Sequence, residues 1–216
     1  MGATNLLIYN GTQGTATPLF FIYSCNLLIT ILFFIRESRI KNGWSMLKPQ
    51  DIVIVLKILA KGEQHWAQGS LASELGMSAS EINAGIKRAL KSGLLRKSNK
   101  KIIPMKQAIE EFLIHGLKYV FPVERGEPSR GIAAAHAAKI FKDKFLSSDE
   151  LPPIWPDPEG KVSGFSFKPL YKSVPFAVKN DPLLYDYLSI VDVLRSGRAR
   201  EVSIAKKMIH EALEAA

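Results

Sequence analysis

The chain has 216 residues, of which 47% are hydrophobic and 23% charged, and its formal net charge is +9. That is enough apolar material for one or two globular domains with a real core. The single cysteine, Cys25, excludes an intrachain disulfide and a cysteine-based zinc site, and it fits a reducing compartment.

The N-terminal segment, residues 1–45, is dominated by an apolar run. Residues 19–35 are interrupted only by Ser24, Asn26 and Thr30, and Arg36 follows directly. Such a run is a short transmembrane candidate, whose positive C-terminal flank would keep the rest of the chain on the cytoplasmic side of an inner membrane. The alternative is translated upstream sequence. Because the first helix of the next domain begins just after Met46, we predict a functional protein that starts near Met46 and is cytoplasmic.

Three helices are predicted after residue 46. Pro49 opens the first, whose inward stripe is Ile52, Val55, Leu56 and Leu59. The second ends at Gly76, where a left-handed residue costs glycine no Cβ clash. Ser78 and Glu81 form a capping box that starts the third, with Ile82, Ile86, Ala89 and Leu90 facing inward. This spacing predicts a helix-turn-helix over residues 71–95.

The outer face of the third predicted helix is small, polar and basic. It carries Ser80, Asn83, Ala84, Lys87, Arg88 and Lys91. Beyond Gly93, two short apolar runs at 94–95 and 102–104 flank a basic, polar tip, which predicts a β-hairpin. Lys97, Asn99, Lys100 and Lys101 lie in or beside that tip.

Over residues 47–104 these features resemble the winged helix-turn-helix DNA-binding domains of bacterial transcriptional regulators. The resemblance rests on Ala72 four residues before Gly76, on Ser78-x-Ser80-x-Ile82, on Lys87-Arg88, and on Gly93-Leu94 leading into the hairpin. It implies that the third helix enters the major groove and that the hairpin, the wing, meets the backbone or minor groove. The DNA contacts implied are Ser78, Ser80, Asn83, Ala84, Lys87, Arg88, Lys91, Lys97, Asn99, Lys100 and Lys101.

Two residues depart from the family pattern, whereas the charge distribution agrees with the resemblance. Gly85 and Ala89 stand where a larger apolar residue is common, so packing shifts to Ile86 and Leu90. Gly85 also costs about 1 kcal/mol of helix propensity relative to alanine. Residues 46–104 hold ten Lys and Arg against four Asp and Glu, whereas residues 105–216 hold 16 against 15. The positive charge is therefore concentrated where DNA binding is expected. A winged helix that contacts protein instead of DNA stays open as an alternative.

Residues 105–122 are expected to form a connecting or dimerisation helix. Ile109, Phe112, Leu113 and Leu117 recur at helical spacing within Met105 to Tyr119. In winged-helix regulators a helix at this place often packs against a second subunit, so the resemblance implies a homodimer. Ordinary packing within the chain explains the same pattern equally well.

Residues 123–216 form the C-terminal region. Prolines and glycines punctuate residues 123–179, where we predict an irregular, loop-rich segment with an Ala-rich helix near 132–145 and a strand or hairpin over 161–169. A pair of helices follows, over 182–196 and 198–215. Between them Arg195, Arg198 and Arg200 could clamp phosphate or carboxylates, or form a surface cluster with Asp192 and Glu201.

The sequence shows no catalytic signature. His65, His115, His136 and His210 have no metal-ligand spacing, and there is no P-loop, dinucleotide fingerprint or nucleophile elbow. We therefore expect no catalytic residue, metal or cofactor.

The fold class predicted is mainly α with a small β-wing, plus the loop-rich segment and the C-terminal helical pair. The function expected is that of a transcriptional regulator that binds double-stranded DNA. The alternative is an antitoxin or adaptor whose residues 123–216 bind a protein partner.

Overall fold

The computed structural model describes residues 46–99, 101–145 and 151–216. The apolar run at 19–35 and Lys100, a predicted DNA contact, lie outside the described residues. Within the part that is described, no helix is both long and apolar enough to cross a membrane. Residues Met46–Ala216 form one compact unit.

Three helices with the predicted order open this unit: α1 (Pro49–Lys61), α2 (Gln68–Leu75) and α3 (Ala79–Lys91). Gly76 ends α2 in the left-handed region, with φ of 60°. The capping box is confirmed, because the Glu81 N–H donates to Ser78 Oγ while the Ser78 N–H donates to Glu81 Oε2. Both α1 and α2 pack against α3.

The predicted hairpin is also present. Strands β1 (Leu95–Ser98) and β2 (Lys101–Pro104) pair antiparallel, with Ser98 opposite Lys101. Asn99 lies in the left-handed region, with φ of 46°. Asparagine tolerates that conformation better than other non-glycine residues, so it suits a tight connection between strands.

The structure explains Gly85. A Cβ atom there would overlap Cδ1 of Ile54 and lie 3.0 Å from Oδ1 of Asp51, both on α1. Ile54 and Asp51 are each 0% exposed, so neither can move aside easily. The missing side chain therefore allows α1 and α3 to approach closely, which offsets the lost helix propensity.

We expect Gly85→Ala to lower the free energy of unfolding by up to about 2 kcal/mol, because overpacking costs about 1–3 kcal/mol and the helix-propensity gain returns only about 1 kcal/mol. Urea denaturation followed by circular dichroism measures this. Gly69→Ala in α2 is the matched control, since nothing lies within 4 Å of a Cβ atom there. An equal stabilisation of both variants would contradict the close helix approach.

The helix predicted over 105–119 is present with an internal irregularity. It consists of α4 (Lys106–Glu111), a π-helical turn (Phe112–Gly116) and α5 (Leu117–Val120). Its inward residues Ile109, Leu113 and Leu117 are at most 2% exposed. Contacts within the chain account for this burial, so the homodimer stays a prediction.

The loop-rich segment predicted for residues 123–179 is more ordered than expected. Strands β3 (Arg125–Ala133), β4 (Pro153–Pro156) and β5 (Val162–Phe167) form a closed three-stranded barrel, in which each strand pairs with the other two. β3 runs antiparallel to both others, while β4 and β5 are parallel. The strand predicted over 161–169 is confirmed as β5.

The Ala-rich helix predicted over 132–145 is wrong. Ile132 and Ala133 instead pair with Trp155 and Ile154 of β4. Two single 3₁₀ turns follow, Ala135–Ala137 and Lys139–Phe141. The strand pairing supplies hydrogen bonds and packing that outweigh the local helix preference of alanine.

The C-terminal helical pair is confirmed. A short helix, α6 (Val174–Ala177), precedes α7 (Pro182–Ser196) and α8 (Ala199–Ala215). Asp181 caps α7 by accepting a hydrogen bond from the Leu184 N–H at 3.0 Å. α7 packs against α8, and α8 also contacts α4.

Helix α1 is central in the packing, because both α3 and α7 contact it. Val53, Ile54 and Ile58 are therefore as deeply buried as the predicted stripe, at 0% exposure. The predicted stripe was too narrow. A helix that is apolar on nearly all sides is expected to be fully buried. The sequence IVIVLKIL within α1 has this nearly continuous apolar composition.

Candidate nucleic-acid interface

The predicted outer face of α3 is on the surface. Ser80, Asn83, Lys87 and Lys91 are exposed and Ala84 is half-buried, while Ser78 is exposed at the N-cap. The opposite side of the helix is closed by Ile82, Ile86 and Ala89, at 0–3% exposure. The structure thus brings these residues together on one polar and basic surface, which we call the α3 face.

Arg88 is placed differently from the other predicted contacts. Its Nε and Nη2 atoms each donate to a carboxylate oxygen of Asp51, both at 2.6 Å. The Arg88 side chain is 11% exposed and that of Asp51 is 0% exposed. The hydrogen bonds that Arg88 donates to Asp51 raise the pKa of Arg88 above its ordinary value. Arg88 therefore joins α3 to α1, and its guanidinium does not belong to the exposed α3 face.

The β1–β2 hairpin places further cations on the surface. Lys97, Asn99 and Lys101 are exposed, as predicted, and Lys100 lies outside the described residues. Arg96, which was not among the predicted contacts, is exposed too. Because successive strand residues point to opposite faces, Arg96 and Lys97 give the hairpin positive charge on both faces.

The start of α3 is held by the C-terminal region, a contact that sequence reasoning missed. The Tyr171 hydroxyl donates to Glu81 Oε1 at 2.6 Å. That bond, followed by those from the Ser78 N–H and hydroxyl, lowers the pKa of Glu81 to about 2. Phe176 of α6 lies against the same turn, since a Cβ atom at Gly76 would be 2.9 Å from Phe176 Cδ1. The turn of the helix-turn-helix is thus fixed by tertiary contacts as well as by its caps.

The three arginines near 195–200 do not converge as a clamp. Arg195 is buried, with Nη1 donating to Asp192 Oδ1 at 2.7 Å and Nε to the Phe121 carbonyl at 2.9 Å. Arg198 precedes α8, and its backbone N–H donates to Glu201 Oε2 at 2.9 Å. Arg200 is exposed on the first turn of α8. The predicted pairing of Arg195 with Asp192 exists, but it is buried rather than at the surface.

Asp192 is a buried carboxylate with a strongly raised pKa. It is 1% exposed and accepts a hydrogen bond from Trp155 Nε1 at 2.7 Å. Burial raises its pKa to about 6, although Arg195 and Trp155 oppose that change. Trp155 is 0% exposed and the Arg195 side chain is 3% exposed, so Asp192 links β4 to α7 in the interior.

Buried charges also join the helix-turn-helix to the C-terminal helices. Lys57 of α1 is 4% exposed and binds Glu74 of α2 at 2.5 Å and Asp181 at 2.6 Å.

Over 46–99, 101–145 and 151–216, no three His, Cys, Asp or Glu residues are grouped so that they could hold a metal ion.

Comparison with protein-family models, with curated proteins and with solved structures finds no match for this chain. The interpretation of the α3 face therefore depends on the chemistry of its own residues.

Proposed function

We propose that this protein is a DNA-binding transcriptional regulator that places α3 in the major groove and the wing against the sugar-phosphate backbone or minor groove. The observation that carries the proposal is the exposed α3 face next to a basic hairpin. Lys87 and Lys91 can neutralise phosphates or reach guanine, and Asn83 can pair with adenine. Ser80 and Ala84 are small enough to let the helix approach the base edges.

The role of Arg88 changes in this proposal. A guanidinium that holds a buried carboxylate with two hydrogen bonds at 2.6 Å cannot reach a base without leaving Asp51 unpaired. Base preference is therefore assigned to Asn83 and Lys87. Arg88 sets the position of α3 against α1.

The proposal includes a homodimer that acts in the cytoplasm. A dimer would read two half-sites about 34 Å apart, one turn of the duplex. The motive for the antitoxin or adaptor alternative is the large apolar and aromatic content of residues 123–216, and several of these side chains pack within the chain itself. Trp155 and Phe167 are at most 1% exposed and belong to its hydrophobic core. Because these side chains are already packed within the chain, we retain the DNA-binding proposal.

The test is a binding titration of the full chain on duplexes selected from a random pool, followed by fluorescence anisotropy at several salt concentrations. We expect the logarithm of the affinity to fall linearly with the logarithm of the salt concentration, by about 0.9 per phosphate neutralised. Lys97→Ala should reduce that slope by about one on every sequence. Asn83→Ala should cost about 1–3 kcal/mol on the preferred sequence alone.

The matched control is Lys207→Ala, an exposed lysine on α8 that is remote in sequence from the α3 face. It should change neither the slope nor the preference. Stoichiometry in the same titration reports two protomers per selected duplex if the homodimer is correct. A full chain with no salt-sensitive affinity for any duplex would refute the proposed function.

A further inference from the structure

We propose that Lys48 and Lys172 extend the α3 face along one of its sides and bind DNA phosphates on that side of the groove. This inference depends on the proposed function and adds a contact from the C-terminal region to it. Neither lysine belongs to the helix-turn-helix or the wing. Both are exposed.

The place of Lys172 follows from its neighbour. The bond from the Tyr171 hydroxyl to Glu81 ties residue 171 to the first turn of α3 at 2.6 Å. Lys172 is the next residue, and its positive charge contributes to the lowered pKa of Glu81. The Lys172 ammonium group therefore acts at the end of α3 that a helix-turn-helix directs towards DNA.

The place of Lys48 follows from Asp51. The Lys48 N–H donates to Asp51 Oδ2 at 2.8 Å, and the same carboxylate binds Arg88. Lys48 therefore lies beside the part of α3 that carries Arg88.

Glu81 and Arg88 are seven residues apart on α3, which places them on the same side of the helix, about 10 Å apart along its axis. That side lies between the buried stripe of Ile82 and Ile86 and the exposed α3 face. When a helix occupies a major groove about 12 Å wide, its sides lie towards the phosphates that border the groove. Lys48 and Lys172 thus stand near two successive points of one border.

The neighbouring carboxylates, Asp51 and Glu81, do not cancel the positive charge that Lys48 and Lys172 give to this side of α3. Both oxygens of Asp51 are bound by Arg88, so that pair is neutral as a unit. Glu81 stays negative, but one oxygen accepts from Tyr171 and the other from Ser78. Both of its oxygens thus already accept hydrogen bonds from the protein, whereas Lys48 and Lys172 are exposed.

The experiment uses the full chain with Lys48→Gln, Lys172→Gln and both changes together, titrated on the selected duplex over a range of salt concentrations. Each single change should reduce the salt slope by about one unit, and the double change by about two. At about 0.15 M salt, the loss of one phosphate contact corresponds to about a fivefold weaker affinity. Preference among sequences should not change, because phosphates carry no base identity.

Lys207→Gln is the matched control for the loss of one exposed charge. Urea denaturation should give free energies of unfolding within about 0.5 kcal/mol of the parent chain for all of these exposed substitutions. If the parent binds with a steep slope and Lys172→Gln keeps that slope, this inference is overturned while the proposed function stands. If Lys172→Gln changes sequence preference instead of slope, phosphate contact is likewise refuted. If the parent binds no duplex, the proposed function itself fails.

Discussion

Arg88→Met is expected to lower the free energy of unfolding by about 3–5 kcal/mol, the usual result of removing one partner of a buried ion pair. Asp51 is 0% exposed, and Arg88 supplies two of its three hydrogen bonds, the third coming from the Lys48 N–H. Methionine keeps much of the volume but leaves a carboxylate buried without its counter-charge. Urea denaturation, followed by circular dichroism, gives the difference.

A second substitution separates charge from packing. Asp51→Asn together with Arg88→Met removes the uncompensated charge, so the double variant should be more stable than Arg88→Met alone. Lys87→Met, at the exposed neighbouring position, should change stability by no more than about 0.5 kcal/mol. If Arg88→Met were as mild as Lys87→Met, the Asp51 pair would not be holding α3 against α1.

The protein is expected to become more stable as the pH falls from about 7 to about 4.5, because of Asp192. Burial raises the pKa of this carboxyl from its ordinary value of 3.8 to about 6. The folded chain therefore binds a proton at a pH where the unfolded chain still does not, which favours the folded state on acidification. The full difference between the two pKa values corresponds to roughly 3 kcal/mol.

Asp192→Asn should flatten this part of the profile, because the amide does not titrate yet keeps an oxygen that can accept from Trp155. The measurement is the free energy of unfolding at several pH values. Burial also raises the pKa of Asp186, so the difference between parent and variant is the informative quantity. Glu81 has the opposite effect on stability, because its pKa is lowered in the folded chain. It stabilises the fold above about pH 4.5, and this contribution is lost as the pH falls further. Asp143→Asn, at an exposed site, is the control and should leave the pH dependence of the parent unchanged. If the free energy of unfolding of the parent depends on pH no more steeply than that of Asp192→Asn, the prediction is contradicted.

The parts of the fold that the sequence predicts are those specified by neighbouring residues. The capping box of Ser78 and Glu81, the end of α2 at Gly76 and the hairpin around Asn99 each depend on residues within a few positions. The barrel of β3, β4 and β5 was missed because its pairing joins Ile132 to Trp155 and Pro128 to Phe165, residues that are far apart in the sequence. Local propensity carries no information about such distant pairing.

The same distinction holds for the candidate interface. The α3 face follows from helical periodicity alone, so its exposed residues were predictable. Arg88 has the same periodicity as an outward residue, but a buried acceptor 37 positions earlier turns its guanidinium inward. The Tyr171 contact that places Lys172 spans 90 positions. Both could be found only once the packing of α1, α3 and the C-terminal region was known.

Helix α1 contacts both α3 and α7, so the helix that carries the α3 face and the C-terminal helices pack against the same element. A DNA-binding domain that can be transferred alone to another protein needs a hydrophobic core of its own. Here the core around α1 includes side chains from residues beyond 180. Any molecule that tightened or loosened α7 would act directly on the support of α3. Inheritance of the helix-turn-helix without its C-terminal half would therefore yield an incomplete domain, and the two halves are expected to change together over evolution.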